Sequence, residues 1–247
     1  MTSKDPKWIR CEKPDDVTTT VNSAAGPGGQ KSIAFFDVDK TLIREASVSY
    51  LIRYFVEKGE MSFKHLMRGG FYALLHYVNL LDYASIFRQS VAPFVGMQEE
   101  EIIRMSRECF ESRVRAGIYS EGVRRIEEHQ SRGELVVLLS GGPRYVIYAL
   151  RDHLGLSAAI AAGPKVVAGR ITDQLDGDFC YKEGKLRYAE AYAADHRVTL
   201  QDCYFYSDSI SDLPLLAAVG YPRVVNPDLL LRREARRRGW EVLSFTG

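Results

Sequence analysis

The sequence predicts an α/β fold: a parallel sheet core with helices on both faces and an α-helical cap inserted after the first strand. Three observations carry this. A short apolar run, Ile33-Ala34-Phe35-Phe36, ends in Asp37 and Asp39, the pattern of a buried parallel strand with polar groups at its C-terminal end. From Glu45 to about Ala116 helical spacing replaces β-branched alternation, over far more chain than the roughly dozen residues a crossover needs. After Ser120 strand-like and helix-like stretches alternate to the C-terminus, as in an open sheet with crossover helices.

Composition bounds the rest. The 247 residues are 46% apolar and 26% charged, enough for one large domain or a domain with an insertion. A net charge of +1, from 33 basic and 32 acidic side chains, argues against a nucleic-acid partner. Cys11, Cys109, Cys180 and Cys203 are scattered without a CxxC spacing, so no zinc site is expected and a reduced, cytoplasmic protein is the default. The N-terminus has no apolar signal core, and no uncharged apolar run reaches the ~18 residues of a membrane span. No stable membrane insertion is expected. The five histidines share no ligand spacing and read as structural or exposed.

Taken in order, residues 1–31 read as a flexible leader, with a Thr18-Thr19-Thr20 run and Gly26-Pro27-Gly28-Gly29. The glycine pair precedes the first strand instead of following it, so it is not a phosphate loop. Residues 32–44 and 117–247 form the expected core, and 45–116 the cap. Within the cap, Val48, Leu51, Ile52, Phe55 and Val56 recur at helical spacing. Further helices are expected at Phe63 to Leu81, Tyr83 to Val91 and Gln98 to Val114, with the stripe Phe71, Leu74, Leu75, Val78 as cap core.

The second part of the core alternates. A helix is expected at Ser120 to Arg132, then a strand at Glu134 to Leu139 running into Ser140-Gly141-Gly142. A helix follows at Pro143 to Leu154, with Pro in its first turn, and a short strand at Ala158 to Ala162. A hairpin turning at Gly169-Arg170 starts at Val166 and is continued by Asp178 to Tyr181. Next come a helix at Lys185 to His196, a strand at Cys203 to Tyr206 ending in Ser207-Asp208, and a helix at Leu213 to Val219. A strand at Arg223 to Val225, a helix at Leu229 to Arg238 and a strand at Glu241 to Ser244 complete the chain. The arginines of the last helix read as a solvated face.

Parallel strands place three polar ends on one edge of the sheet: Asp37, Asp39 and Thr41; Ser140; and Asp208 with Asp212. Lys185 begins a helix and can reach the same edge. Two groups of carboxylates, a hydroxyl and an ammonium suit a phosphoryl group with Mg²⁺, one carboxylate attacking phosphorus while the cations neutralise its oxygens.

These residues resemble a known set. DVDKT at Asp37 to Thr41, LLSGG ending at Gly142, Lys185 placed 23 positions before Asp208, and SDSISD at Ser207 to Asp212 occur in that order. The chain from about Ser32 to Phe245 resembles haloacid dehalogenase-like phosphatases of the phosphoserine phosphatase-like subgroup. The resemblance implies a Rossmann-like core with a helical cap, and Mg²⁺-dependent hydrolysis of a small phosphomonoester through an aspartyl phosphate. It implies Asp37 as nucleophile and Asp39 as acid, then base. Asp37, the Asp39 backbone carbonyl and Asp208 would hold Mg²⁺. Ser140 and the Gly141 amide would bind phosphoryl oxygens, Thr41 would fix that loop, Lys185 would offset charge, and Asp212 would orient Lys185 or a metal-bound water.

The chain also departs from the pattern. Phosphoserine-specific relatives carry a glutamate nine residues beyond the nucleophile; here Ala46 stands there and Glu45 is one position early. Ser211 replaces the usual Asn, and Pro143 an aromatic. Glu45, Ser49, Arg53 and Arg68 are the expected substrate readers on the cap. Alternative substrates are a lipid-like phosphate, for which Lys64, His65 and Arg68 lie near the apolar stripe, or histidinol phosphate. A catalytically silent binding protein on the same scaffold and a phosphoaspartate signalling module are the rival classes. The long insertion and the second acid Asp39 speak against the signalling module. Oligomeric state is not readable from the sequence.

Overall fold

The computed structural model describes residues 32–59 and 83–246. The expected leader and the helix at 63–81, with its apolar stripe and the neighbouring Lys64, His65 and Arg68, lie outside the described residues. In chain order, β1 (Ile33–Phe36) is followed by α1 (Ser47–Glu57), α2 (Tyr83–Val91), α3 (Glu99–Cys109) and α4 (Ser120–Ser131). Then come β2 (Leu135–Ser140), α5 (Arg144–His153), β3 (Ala158–Ala161), β4 (Pro164–Val167) and β5 (Arg170–Leu175). The chain closes with α6 (Glu183–Asp195), β6 (Tyr204–Ser207), α7 (Leu213–Ala218), β7 (Tyr221–Val225), α8 (Leu229–Arg238) and β8 (Glu241–Leu243).

Six strands form one sheet in the order β3-β2-β1-β6-β7-β8, every neighbouring pair parallel. The run Ile33-Ala34-Phe35-Phe36 makes the central strand because its four residues are apolar on both faces and all are fully buried. Phe36 lies level with Leu138 on one side and Tyr206 on the other. The two-residue period of the strands divides the core. Ala34 and Phe36 join Val136 and Leu138 under Phe55, Met105, Ile126 and Ile147 of α1, α3, α4 and α5. Ile33 and Phe35 join Val137 and Leu139 under Tyr192, Leu216 and Leu231 of α6, α7 and α8. Phe36 also stacks on Tyr206 with ring centroids 4.1 Å apart. Burying each such aromatic contributes about 1.5–3 kcal/mol.

Caps fix the helix ends where sequence chemistry supplies them. The Asp228 side chain accepts from the Leu231 amide to start α8, and Gly239 ends it in the left-handed conformation. The hairpin β4–β5 braces the residues before α3: the Gly96 amide donates to the Ile171 carbonyl and the Ile171 amide to that of Met97.

Two expectations are corrected. Asp178 to Tyr181 is not a strand; the hairpin ends at Leu175. The Asp178 amide donates to the Tyr188 hydroxyl, and that hydroxyl donates to the Asp178 carbonyl. A side chain of α6 thus satisfies backbone groups a strand partner would have taken. The helix expected to run to Val114 ends at Cys109 and continues as a π-type turn, Phe110–Val114, with Phe110 and Val114 buried. Among the described residues no helix is long and apolar enough to cross a membrane.

Candidate active site

The chain leaves β1 toward β2 and β3, and returns on the other side of β1 as β6. Crevices at such a switch point, beyond the carboxyl ends of the strands, are where open α/β sheets bind ligands. Asp37 follows β1 directly, and its amide donates to the Tyr206 carbonyl, continuing the pairing with β6 by one residue. The Val38 carbonyl then accepts from the amides of Thr41, Leu42 and Ile43, a tight turn that Lys40 enters with φ of 60°. This turn folds Thr41 back over the strand end. Its hydroxyl lies 3.3 Å from Asp37 Oδ2 and 3.4 Å from Asp208 Oδ1.

Lys185 arrives from the first turn of α6. Its ammonium donates to Asp37 Oδ1 at 2.6 Å and to Asp212 Oδ2 at 2.7 Å. Asp212 Oδ2 also accepts from the Ser207 hydroxyl at 2.7 Å. Gly184 makes this approach feasible: a Cβ there would stand 1.8 Å from the Phe179 carbonyl oxygen. Ser140, buried at the end of β2, accepts from the Gly142 amide at 3.0 Å, forming a small turn. Asp39 lies apart from the ammonium. Its Oδ1 accepts from the Ser47 amide at 2.8 Å, at the start of α1, where helix amides favour a carboxylate.

Burial governs the electrostatics. It pushes the Asp37 carboxyl up to about 8; Asp212 and Asp208 add to the rise, against the pull of Lys185. Burial, then Asp212, lifts Asp208 to about 6. Burial alone would lower Lys185, but Asp212 and Asp37 outweigh it and hold the ammonium charged. Burial also raises Asp39, against the stabilising Ser47 contact. The buried group holds three carboxylates, Asp37, Asp208 and Asp212, to one ammonium. Fully ionised, it carries two negative charges in excess.

That excess matches a divalent cation. The oxygen donors are hard, as Mg²⁺ requires, and few, which suits an ion that keeps several of its waters. Asp212 Oδ1 is buried without a hydrogen-bond partner in the protein, an acceptor well placed in type for a metal-bound water. Among the described residues no cluster of three or more His, Cys, Asp and Glu has the arrangement of a metal site. The expected set does not demand one, because only Asp37 and Asp208 offer side chains and Asp39 offers its carbonyl.

One cavity of about 720 Å³ opens over these groups. Asp37, Asp39, Ser140, Gly141, Lys185, Asp208 and Asp212 all line it. Thr41 is buried behind Asp37 and Asp208. Glu45 and Arg53 correct the sequence reading. They are exposed, bridge one another at 2.7 Å, and do not line the cavity. Ser49 does not line it either. The apolar face of α1 turns inward, so the polar residues between its apolar positions point elsewhere. Arg68 lies outside the described residues.

Several supporting residues escaped the sequence reading. Ser207 orients Asp212, and its place at the head of SDSISD was a usable signal. The Ser47 amide holds Asp39. Asp228 braces the loop after β6: its side chain accepts from the Ile210 amide, and its amide donates to the Asp208 carbonyl. Only its position before α8 marked it, as a helix cap.

Comparison with known proteins agrees with this geometry. A family model described as haloacid dehalogenase-like hydrolase matches residues 34–217. A phosphoserine phosphatase of Mycobacterium tuberculosis is 30% identical over 251 residues, covering 97% of this chain and 80% of that one. A histidinol-phosphatase of Neisseria meningitidis is 31% identical over 222 residues, covering 87% and 99%. Among solved structures, a protein of unknown function from Bordetella pertussis superposes with a TM-score of 0.79 at 26% identity, covering 87% of this chain and 99% of that one. A substrate-bound phosphoserine phosphatase shares the fold, with a TM-score of 0.63 at 18% identity, covering 84% and 91%.

Proposed function

Because this chain belongs to the haloacid dehalogenase-like hydrolase family, we propose that it is a phosphatase that hydrolyses a small phosphomonoester through an aspartyl phosphate on Asp37, with Mg²⁺ as cofactor. The observation that carries this reading is the single ammonium of Lys185 shared by Asp37 and Asp212 at the floor of the cavity. A carboxylate meant to attack a phosphate dianion needs such a neighbour.

In the first step an Asp37 oxygen bonds to phosphorus while the bond from phosphorus to the alcohol oxygen breaks. Asp39 gives that oxygen its proton; its raised pKa suits a group that must hold one. In the second step Asp39 takes a proton from water, whose oxygen bonds to phosphorus as the bond to Asp37 breaks. Phosphate leaves, and both carboxyl groups return to their first state. The Ser140 hydroxyl and the Gly141 amide bind the phosphoryl oxygens, and Asp212 holds Lys185 in place. Bound at Asp37, Asp208 and the Asp39 carbonyl, Mg²⁺ would act as a Lewis acid on the phosphoryl group.

The block 45–116 serves as the cap that covers the substrate and limits bulk water. Relatives are named for phosphoserine and for histidinol phosphate, and this substrate belongs to the same broad class of small phosphorylated metabolites. The protein works in the cytoplasm; Cys109, Cys180 and Cys203 are free thiols, as suits a reducing compartment. The test is turnover of phosphomonoesters with Mg²⁺ by wild type and Asp37→Asn. Turnover in wild type alone is expected; ordinary turnover by the variant refutes the assignment.

A further inference from the structure

Beyond the phosphoryl end, the cavity is walled by one apolar face of α1 and by the turn after α2. Val48, Leu51, Ile52 and Phe55 recur at positions three and four apart, so they share one side of the helix. Val91 and Phe94 line the cavity beside them, and Phe94 packs on Phe55 with ring centroids 4.8 Å apart.

None of the described residues of this wall is charged. Among the described residues lining the cavity, every carboxylate belongs to Asp37, Asp39, Asp208 or Asp212. All four are committed to the phosphoryl end, Asp39 through the Ser47 amide. Of the lining cations, Lys40 stands in the turn next to Asp39, and its charge acts on Asp39 and Asp208 at the phosphoryl end; Lys185 is held by Asp37 and Asp212. Arg144 is held by the Asp176 side chain at 2.9 Å and donates to the Asp176 carbonyl at 3.3 Å. A substrate bringing an ammonium or a carboxylate against Leu51, Ile52 and Phe94 would lose its hydration with no charged partner, since the polar residues lining the cavity nearby, Gln89, Ser90 and Ser106, are neutral. The departure at Ala46 has the same sense, since a methyl group lines the cavity there.

We propose that the preferred substrate is a monoester whose alcohol carries an apolar group, an alkyl chain, a fatty-acyl tail or an aromatic ring laid along the α1 face, in place of a zwitterionic amino alcohol. This rests on the phosphatase reading for its reaction but not for its fit. Removing a chain of methylenes from water into such a cavity strengthens binding by up to about fourfold for each one.

The test has two arms. In the first, kcat/KM is measured with Mg²⁺ for alkyl phosphates from methyl to octyl and for phosphoserine. A monoacylglycerol phosphate and naphthyl phosphate, in the same arm, separate a flexible chain from a ring. In the second, calorimetry measures the binding of the matching alkylphosphonates, which contain no ester bond to break. The expected result is a two- to fourfold rise in kcat/KM per methylene over the first several members, a matching fall in phosphonate Kd, and propyl phosphate preferred over phosphoserine at least tenfold. A flat series in both arms, or a preference for phosphoserine, overturns the proposal. Should no ester turn over, the phosphatase reading fails by itself, and the slope of the phosphonate series still decides the chemistry of the cavity.

Discussion

The ammonium of Lys185 lies 2.6 Å from the carboxylate of Asp37, across a sequence separation of 148 residues. Together with the 2.7 Å contact to Asp212, it joins the end of β1, the start of α6 and the loop after β6. All three side chains are buried. Sequence-distant elements are thus tied at one charged point, and that point faces the cavity.

Removing the tie leaves buried charge without compensation. Lys185→Met is expected to lower stability by about 3–5 kcal/mol, because Asp37 and Asp212 lose their partner inside the protein. Denaturant unfolding measures this. Turnover falls further than stability explains, and a folded variant with wild-type kcat contradicts the role given to Lys185.

The turn that delivers Lys185 has no room for a side chain at Gly184. The nearest atom to a methyl group placed there is the backbone oxygen of Phe179, which cannot swing aside as a flexible side chain can. Gly184→Ala is expected to cost several times the ~1 kcal/mol of an unhindered glycine replacement and to reduce kcat. Gly133→Ala is the comparison: its φ is 73° but nothing lies within 4 Å, so it pays for backbone conformation alone. Equal losses of melting temperature in the two variants would contradict the steric account.

The charge excess of the buried carboxylates is expected to make Mg²⁺ binding a stabilising event. At a Mg²⁺ concentration 100 times Kd, unfolding free energy rises by about 2.7 kcal/mol. Chelation removes the gain. Asp208→Asn takes away one of the two side-chain donors proposed for the ion and is expected to abolish most of the thermal shift. A shift of wild-type size in that variant excludes Asp208 as a ligand.

Acid stability depends on a second buried group, away from the cavity. Burial lowers the pKa of His129 from 6.5, against the pull of Glu134. Its Nε2 lies 2.9 Å from the Tyr206 hydroxyl, and its Nδ1 contacts Glu134. The unfolded chain therefore binds this proton more readily, so stability is full above pH 6.5 and falls as the pH drops below it. Glu134 acts in the same direction lower down. Contacts from Arg132, His129 and Ser32 outweigh its burial and hold it below 4.5, so its contribution is lost as the pH falls through that depressed value. His129→Gln is expected to flatten melting temperature against pH just below 6.5. An unchanged slope would assign the acid sensitivity elsewhere.

Much of this was legible in the sequence for a physical reason. A central parallel strand must be apolar on both faces, so Ile33 to Phe36 announced itself, and the polar residues just beyond it marked the ligand edge. The chain order of Asp37, Ser140, Lys185 and Asp208 then fixed which strand ends meet. What failed depended on rotation and on partners. Glu45 and Arg53 are near in sequence to the turn carrying Asp37 and Asp39, but the rotation of α1 sends Val48, Leu51 and Ile52 into the cavity instead. Asp178 to Tyr181 has strand-like residues, yet the Tyr188 hydroxyl claims its backbone. The part played by Asp228 arises from a loop contact 18 residues distant, which no local pattern encodes.

The most direct test of the account is rapid acid quenching during turnover of a phosphomonoester labelled in phosphorus, followed by peptide mapping. The label is expected on the peptide containing Asp37 and is expected to be absent from Asp37→Asn. Label on another residue, or wild-type turnover without any labelled peptide, would contradict covalent catalysis at Asp37.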